Sequence, residues 1–211
     1  MSTNVSALLA APGVSSIVDL QYIPFGNAYF NNSGCGTMYS LYYDSYQQVC
    51  WNKQCGGAHP PADCFGDSVY PGSTALFCQH GQNECTANLI AGCAVALYPG
   101  ATRFAPFLEC FESNLSAHIF DPVNSSVPAC AAATQLDSGA ILGCANNKTR
   151  AAEILVANAR ATIAQVNMTG TPWVLVDGVP LGDDADLLGA VCDAFTGAPP
   201  AGCAKQRRAS A

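Results

Sequence analysis

The sequence predicts an α/β domain that is held together by disulfides. The chain has 211 residues, of which 50% are hydrophobic and 11% are charged, which suits one domain with its own hydrophobic core. It contains 12 cysteines, an even number and a high density for this length. Because cytosolic thiols are kept reduced, such cysteine usage favours an oxidising compartment, in the secretory pathway or outside the cell.

The first element predicted from the pattern is a strand. Residues 17–23 alternate apolar and polar side chains and run into Pro24-Phe25-Gly26-Asn27, which is typical of a strand that ends in a turn. Residues 28–77 are rich in Gly, Pro, Tyr and Cys and show no sustained period. They are predicted to form a Cys-rich insertion loop that its own disulfides hold, since a structureless loop of this length is uncommon.

The rest of the chain reads as helices followed by a hairpin and a last helix. The predicted helices cover Glu84–Ala96, Phe104–Ser113, Ala129–Gly143 and Arg150–Val166. Thr171–Val176 is predicted to be a strand, and Asp177-Gly178 is a strong hairpin turn. Asp183 is predicted to open a final helix that Gly197 ends. One domain is therefore expected over 1–204, with a disordered tail at 205–211.

Charge and hydropathy exclude two classes of partner. The formal net charge is −7 and the 8 Lys and Arg residues are scattered, whereas a nucleic-acid-binding protein needs a basic stripe. No stretch approaches the roughly 18 consecutive apolar residues of a membrane span. The first 13 residues lack the basic and apolar regions of a signal peptide. We therefore expect no nucleic-acid partner, no membrane span and a monomer.

Glycosylation acceptors support the secretory assignment. Six Asn-x-Ser/Thr sequons occur among only 13 asparagines. We expect a glycoprotein, with candidate acceptors at Asn4, Asn31, Asn114, Asn124, Asn147 and Asn167.

The most informative segment is 78–93, which has the pattern C-Q-H-G-x2-E-C-x2-N-x4-C. His80 could act as a general acid or base near neutral pH, or it could hydrogen-bond its own loop, which is the interpretation we favour. The cysteines and His80 could also be read as metal ligands, but their spacing does not fit a zinc knuckle, so we expect no metal. The fixed positions are Cys78, Gln79, His80, Gly81, Glu84, Cys85, Asn88 and Cys93.

This pattern resembles the signature of the gamma-interferon-inducible lysosomal thiol reductase family at every fixed position. The turn at 24–28 and the Pro-Trp-Val segment with its hairpin at 171–181 are similar to two further family segments, in the same order. The resemblance implies a thioredoxin-like three-layer fold with a helical insertion. It also implies a substrate-facing loop at Thr171, Pro172 and Trp173, in which a cis Pro172 is preferred over an ordinary trans proline at an edge strand. Cys192 and Cys203 flank the last helix, and we expect them to bridge.

The function that the resemblance implies is reduction of disulfides in protein substrates, in a lysosome or outside the cell, without an organic cofactor. Such a reductase needs a Cys-x-x-Cys pair at a helix N-terminus, where the first thiol has a lowered pKa. No Cys-x-x-Cys occurs in the chain. We expect that the first strand and the catalytic pair lie upstream of Met1, so that the chain is incomplete, with residues 5–11 as the remnant of the helix that follows the pair.

Two other interpretations stay open. The chain could be a non-catalytic, disulfide-stapled binding or scaffold protein with the same fold. Alternatively, Cys50 and Cys55, which are separated by four residues, could form a new redox pair.

Overall fold

The computed structural model describes residues 2–35, 44–65, 76–117, 123–165, 168–182 and 185–204. Within these ranges most of the ordered chain is helical. The helices are α1 Ser2–Ala10, α2 Ser45–Cys55, α3 Gln82–Leu97, α4 Ala101–Ala117, α5 Val127–Ala133, α6 Ser138–Asn146, α7 Lys148–Ile163 and α8 Leu187–Ala194. None of these helices is long and apolar enough to cross a membrane.

The strands are short and form two separate antiparallel pairs within the described residues. They are β1 Tyr29–Phe30 with β2 Leu76–Phe77, and β3 Leu175–Val176 with β4 Val179–Pro180. Asp177 and Gly178 join β3 to β4 with φ values of 49° and 79°, the two positive values that a type I′ turn requires. The fold is thus mixed and mainly helical, with small sheets, and the three-layer arrangement stays a prediction.

The strand expected over residues 17–23 is not formed. After a short 3₁₀ turn at Val14–Ser16, residues 18–23 have neither helix nor strand structure. A strand needs a neighbour to satisfy its backbone groups, and no described segment pairs with these residues. The alternating pattern therefore correctly predicted a half-buried segment, but it wrongly predicted that the segment pairs with another strand.

Helix α3 lies at the centre of the core. Cys85, Leu89, Ile90, Cys93 and Ala94 are all at most 1% exposed, and the helix packs against α4, α6 and α7. At Gly92 a side-chain carbon would lie 2.6 Å from Ile154 Cγ2 of α7, so only glycine allows this close approach. The predicted helix over 84–96 thus exists and extends slightly at both ends.

The single helix predicted over 129–143 is two helices. Helix α5 ends at Ala133, Gln135 takes a left-handed φ of 58°, and the Leu136 amide donates to the Ala131 carbonyl at 2.8 Å. This geometry is a Schellman motif, which ends a helix. Asp137 then caps α6 by accepting from the Ala140 amide at 3.1 Å. The alanine-rich composition concealed both signals.

The other predicted helices also have moved boundaries. The helix predicted over 104–113 is α4, which begins earlier and ends later. Helix α7 begins after Asn147, whose side chain accepts from the Arg150 amide at 3.1 Å. The last helix begins at Leu187, and the expected start at Asp183 lies outside the described residues, as does the tail 205–211.

The insertion at 28–77 is more than a loop, because it contains α2 and part of the core. Its own bridges are Cys35–Cys50 and Cys55–Cys64. The Trp51 ring packs 6.0 Å from both Phe25 and Phe30, and its indole donates to the Cys64 carbonyl at 2.7 Å. These aromatic contacts attach the insertion to the turn at 24–27. Sequence reasoning missed the helix because its apolar residues lack a helical period.

The two ends of the described chain pack together in a second, smaller core. Cys192 and Cys203 form a disulfide, and both are fully buried with Leu8 of α1 and Val14 beside them. The Gly202 amide donates to the Pro12 carbonyl at 2.8 Å. Helix α1, which occupies the segment described above as a helix remnant, also packs along α4.

Asn32 is the buried polar residue that joins the two bridges of the insertion. It is 4% exposed, its amide nitrogen lies 3.2 Å from Cys55 Sγ, and its Oδ1 accepts from the Cys35 amide at 3.0 Å. We predict that Asn32→Ala lowers the free energy of unfolding by about 1–3 kcal/mol, because it removes a buried side chain together with its hydrogen bonds to Cys55 Sγ and the Cys35 amide.

The matched control is Asn31→Ala at the adjacent, exposed position, which should stay within about 0.5 kcal/mol of wild type. Denaturant unfolding of oxidised, non-glycosylated protein measures both. Equal effects of the two substitutions would contradict the role given to Asn32.

Candidate functional site

One large cavity of about 1060 Å³ brings together the segments that sequence analysis singled out. The chain from Ile17 to Gly26 and the chain from Thr171 to Gly178 both line it. The signature loop and the first turns of α3 contribute His80, Glu84 and Asn88 to the same lining. The cavity is therefore bordered by all three of the segments that resemble the thiol reductase family.

The signature loop is fixed by a disulfide and a carboxylate. Cys78 and Cys85 form a disulfide across the loop, and Gly81 has a φ of 86°, which favours glycine. Glu84 Oε2 accepts from the His80 amide at 2.6 Å and lies 2.9 Å from His80 Nδ1. His80 therefore does hydrogen-bond its own loop, as the favoured interpretation expected. Its side chain nevertheless stays 61% exposed, on the wall of the cavity.

Polar side chains connect the signature to the turn at 24–27. Asn88 Nδ2 donates to the Phe25 carbonyl at 3.1 Å, and Asn27 Nδ2 donates to Gln79 Oε1 at 2.9 Å. A side-chain carbon at Gly26 would lie 3.8 Å from both Glu84 Oε1 and Thr171 Cγ2. Three segments that are far apart in the sequence thus meet at Gly26.

The loop before β3 also lines the cavity. The Thr171–Pro172 peptide bond is cis, and both residues line the cavity together with Trp173. The indole Nε1 of Trp173 is buried and has no hydrogen-bond acceptor among the described residues. Since buried polar groups are nearly always paired, an unpaired indole on a cavity wall is a group that a ligand could satisfy.

The cysteines of the site are bonded in a way that overturns two alternatives. Cys78 pairs with Cys85 and Cys93 pairs with Cys144, so these sulfurs are not thiolate ligands and the metal interpretation is wrong. Cys50 pairs with Cys35 and Cys55 pairs with Cys64, so a Cys50–Cys55 redox pair is also wrong. With Cys110–Cys130 and Cys192–Cys203, all 12 cysteines are in disulfides.

Sequence reasoning missed a partly buried polar pair on the cavity wall. The Tyr22 hydroxyl donates to the carboxylate of Glu112 on α4, and both residues line the cavity. Burial, followed by the charge and hydrogen bond of Glu112, raises the pKa of Tyr22 well above its usual range. The two residues are 90 positions apart, so no local pattern could have revealed the contact.

The sequons lie away from this cavity where the structure describes them. Asn4, Asn31, Asn114 and Asn147 are exposed and are not among the residues that line it. Two of them also have structural roles: Asn147 caps α7, and Asn114 Nδ2 donates to the Cys110 carbonyl at 2.8 Å. Asn167 and the side chain of Asn124 lie outside the described part of the chain. Glycosylation stays a prediction.

The fold and the site define a class: a disulfide-stapled, mainly helical domain in which a Cys-rich signature loop and a cis-proline hairpin border one cavity. Comparison with known proteins shows what the chain is similar to. Residues 64–134 match the model of the gamma interferon inducible lysosomal thiol reductase family. This match confirms the resemblance stated from the sequence.

Two curated relatives extend the likeness. The chain is 26% identical over 137 residues to a gamma-interferon-responsive lysosomal thiol protein of Arabidopsis thaliana, and the aligned region covers 63% of this chain and 54% of the relative. It is 29% identical over 129 residues to the gamma-interferon-inducible lysosomal thiol reductase of Mus musculus, and here the aligned region covers 60% of this chain and 49% of the relative. The chain thus spans about half the length of the curated relatives it matches.

The Tyr22–Glu112 pair predicts a loss of stability at alkaline pH. The folded-state pKa of Tyr22 is raised above the unfolded value of about 10, so the folded state keeps a proton that the unfolded state releases. Its contribution is complete below pH 10 and is lost as the pH rises beyond it, by up to about 1.4 kcal/mol per pH unit.

Denaturant unfolding between pH 8 and 11 measures this loss. Tyr22→Phe should show a shallower decline above pH 10 than wild type, because it has no hydroxyl to ionise. Tyr46→Phe, at a residue that is 86% exposed, is the control and should decline like wild type. Identical slopes for Tyr22→Phe and wild type would exclude the effect.

Proposed function

We propose that this chain acts in thiol–disulfide exchange as a thiol-disulfide oxidoreductase of the lysosomal thiol reductase class, and that its own residues form the site that holds the disulfide-containing polypeptide. The observation that carries the proposal is that the signature loop and the cis-proline loop border a single cavity. A polypeptide in this cavity would place a disulfide beside His80. The supporting fold is expected to be thioredoxin-like, and the compartment lysosomal or extracellular.

In this proposal the cavity binds the substrate, and a thiol carries out the attack on its disulfide. A thiolate attacks one substrate sulfur and bonds to it, the substrate S–S bond breaks, and the departing sulfur leaves as a thiolate that takes up a proton. A second thiol then breaks the mixed disulfide, so the substrate ends as two thiols and the two attacking thiols end as a disulfide. All 12 cysteines of the chain are in disulfides, so the electrons come from a thiol other than these. The residues of this chain would bind and orient the substrate. His80, with Nδ1 held by Glu84, would supply the proton.

A second candidate function is polypeptide binding without redox chemistry. The specific observation in its favour is that no cysteine is free, and none of the six disulfides belongs to a Cys-x-x-Cys motif. Both candidate functions use the same cavity. They differ in whether binding in the cavity speeds reduction of the bound disulfide.

One experiment separates them. A dye-labelled, self-quenched peptide with one internal disulfide is reduced by free cysteine, with and without the protein, and its binding is followed by fluorescence anisotropy. Under the proposal the protein binds the peptide saturably and raises the initial rate of reduction. Saturable binding with an unchanged or slower rate supports the second candidate instead, and absence of binding overturns both.

His80 provides the residue-level prediction. His80→Asn should lower the protein-dependent part of the rate by about tenfold or more, since it removes the proton donor, and should leave peptide binding unchanged. His59→Asn, an exposed position in the insertion that does not line the cavity, should behave like wild type. If both variants keep the full rate, His80 has no part in proton transfer.

A further inference from the structure

One of the six disulfides differs from the others in its exposure. Neither cysteine of the Cys35–Cys50 bridge is buried, since both are partly exposed. Each of the other five bridges, which also lie within the described residues, has at least one buried cysteine, and in four of them both cysteines are buried. A thiol must reach a sulfur in order to attack it, so exposed bridges exchange most readily. Cys35–Cys50 is therefore the bridge that an external thiol reaches first.

Helix α2, which carries Cys50, is held in place without this bridge. The backbone amide of its N-cap residue, Asp44, donates to the Tyr29 hydroxyl at 3.1 Å. Further along the helix, the Trp51 indole donates to the carbonyl of Cys64, which belongs to the second bridge of the insertion. Neither contact involves the exposed bridge, so both contacts remain when its S–S bond is broken.

The short 3₁₀ turn Ser33–Cys35 is also held against α2 by contacts other than the bridge. The Gln54 side chain of α2 donates through Nε2 to the Gly34 carbonyl at 2.9 Å. The backbone amide of Cys35 donates to Asn32 Oδ1 at 3.0 Å. The two cysteines would therefore stay close together in the reduced state, and the bond between them could form again at a small cost in conformational entropy.

We propose that Cys35–Cys50 is a redox-active disulfide that exchanges with small thiols of the glutathione class, and that it opens and closes while the other five bridges stay intact. Both cysteines lie outside residues 64–134, which match the family model, and neither is among the residues that line the cavity. This site is therefore separate from the proposed function, and either can fail without the other.

The exchange takes two steps. A glutathione thiolate attacks one sulfur of the bridge and bonds to it, and the other cysteine leaves as a thiolate that takes up a proton from water. A second glutathione thiolate then attacks the glutathione sulfur of this mixed disulfide, and the first cysteine leaves as a thiolate and is protonated in turn. The bridge ends as two thiols, and the two glutathione molecules end as one glutathione disulfide.

The order in which the bridges are reduced tests the site. The full chain is equilibrated in buffers with increasing ratios of reduced to oxidised glutathione, quenched with acid and alkylated, and peptide mass spectrometry measures alkylation at each cysteine. Cys35 and Cys50 should be alkylated together, at a ratio at least about tenfold lower than any other cysteine requires, and oxidised glutathione added before alkylation should protect both again. Reduction of another bridge earlier or at the same ratio overturns the proposal, as does loss of all six bridges together.

A variant that lacks the bridge tests whether the structure around it stays folded. The double substitution Cys35→Ala and Cys50→Ala should keep the far-ultraviolet circular dichroism of wild type. None of its remaining cysteines should be alkylated at the glutathione ratio that opens the bridge in wild type. A double variant that loses helix, or that exposes Cys55 or Cys64 at this ratio, contradicts reversible opening.

Gln54 provides a test of how the reduced cysteines are positioned. Gln54→Ala removes the hydrogen bond to the Gly34 carbonyl and should slow re-formation of Cys35–Cys50 by oxidised glutathione about threefold or more, because the turn is then held less closely to α2. Asn52→Ala changes another exposed side chain of α2 and should leave this rate unchanged. Equal rates for Gln54→Ala and wild type would overturn the positioning role of Gln54.

Discussion

The site depends on how helix α3 is fixed at both ends. Cys85 in its first turn is bonded to Cys78, and Cys93 in its second half is bonded to Cys144 of α6. The second bridge spans 51 residues, a closure that stabilises the folded state by about 4 kcal/mol in the chain-entropy account. A helix held in this way can carry Glu84 and Asn88 as fixed supports, and these two residues orient the His80 loop and the turn at Phe25.

The sequence predicted best where the chemistry is local. The type I′ turn at Asp177-Gly178, the early position of Glu84 in α3 and the pairing of Cys192 with Cys203 follow from short stretches of residues, and the structure has all three. Prediction failed where the outcome depends on a partner. Residues 17–23 have a strand pattern but no described neighbour, and the end of α5 depends on a left-handed Gln135 within an alanine-rich run.

In the candidate site, too, local features were predicted from the sequence and contacts between distant residues were not. Its signature loop and its proline loop were found from motifs, but the fact that they border one cavity is a tertiary result. The pair of Tyr22 and Glu112 joins positions 90 apart and belongs to no motif. The insertion was predicted to be a loop, yet its residues Trp51 and Phe30 are at most 1% exposed and pack against Phe25, which lines the cavity. Its four cysteines predicted that it has bridges of its own, whereas the pairing of those cysteines and the aromatic contacts could be seen only in three dimensions.

The lining of the cavity combines polar backbone with apolar side chains. Within the described residues, 18–22 make no backbone–backbone hydrogen bond, and the side chains of Val18, Leu20 and Val174 are among those that line the cavity. A polypeptide suits such a lining, because its backbone can hydrogen-bond while its side chains cover apolar surface. The lining that would hold a reductase substrate would therefore serve a binding protein equally well, and only the origin of the attacking thiol distinguishes the two proposed functions.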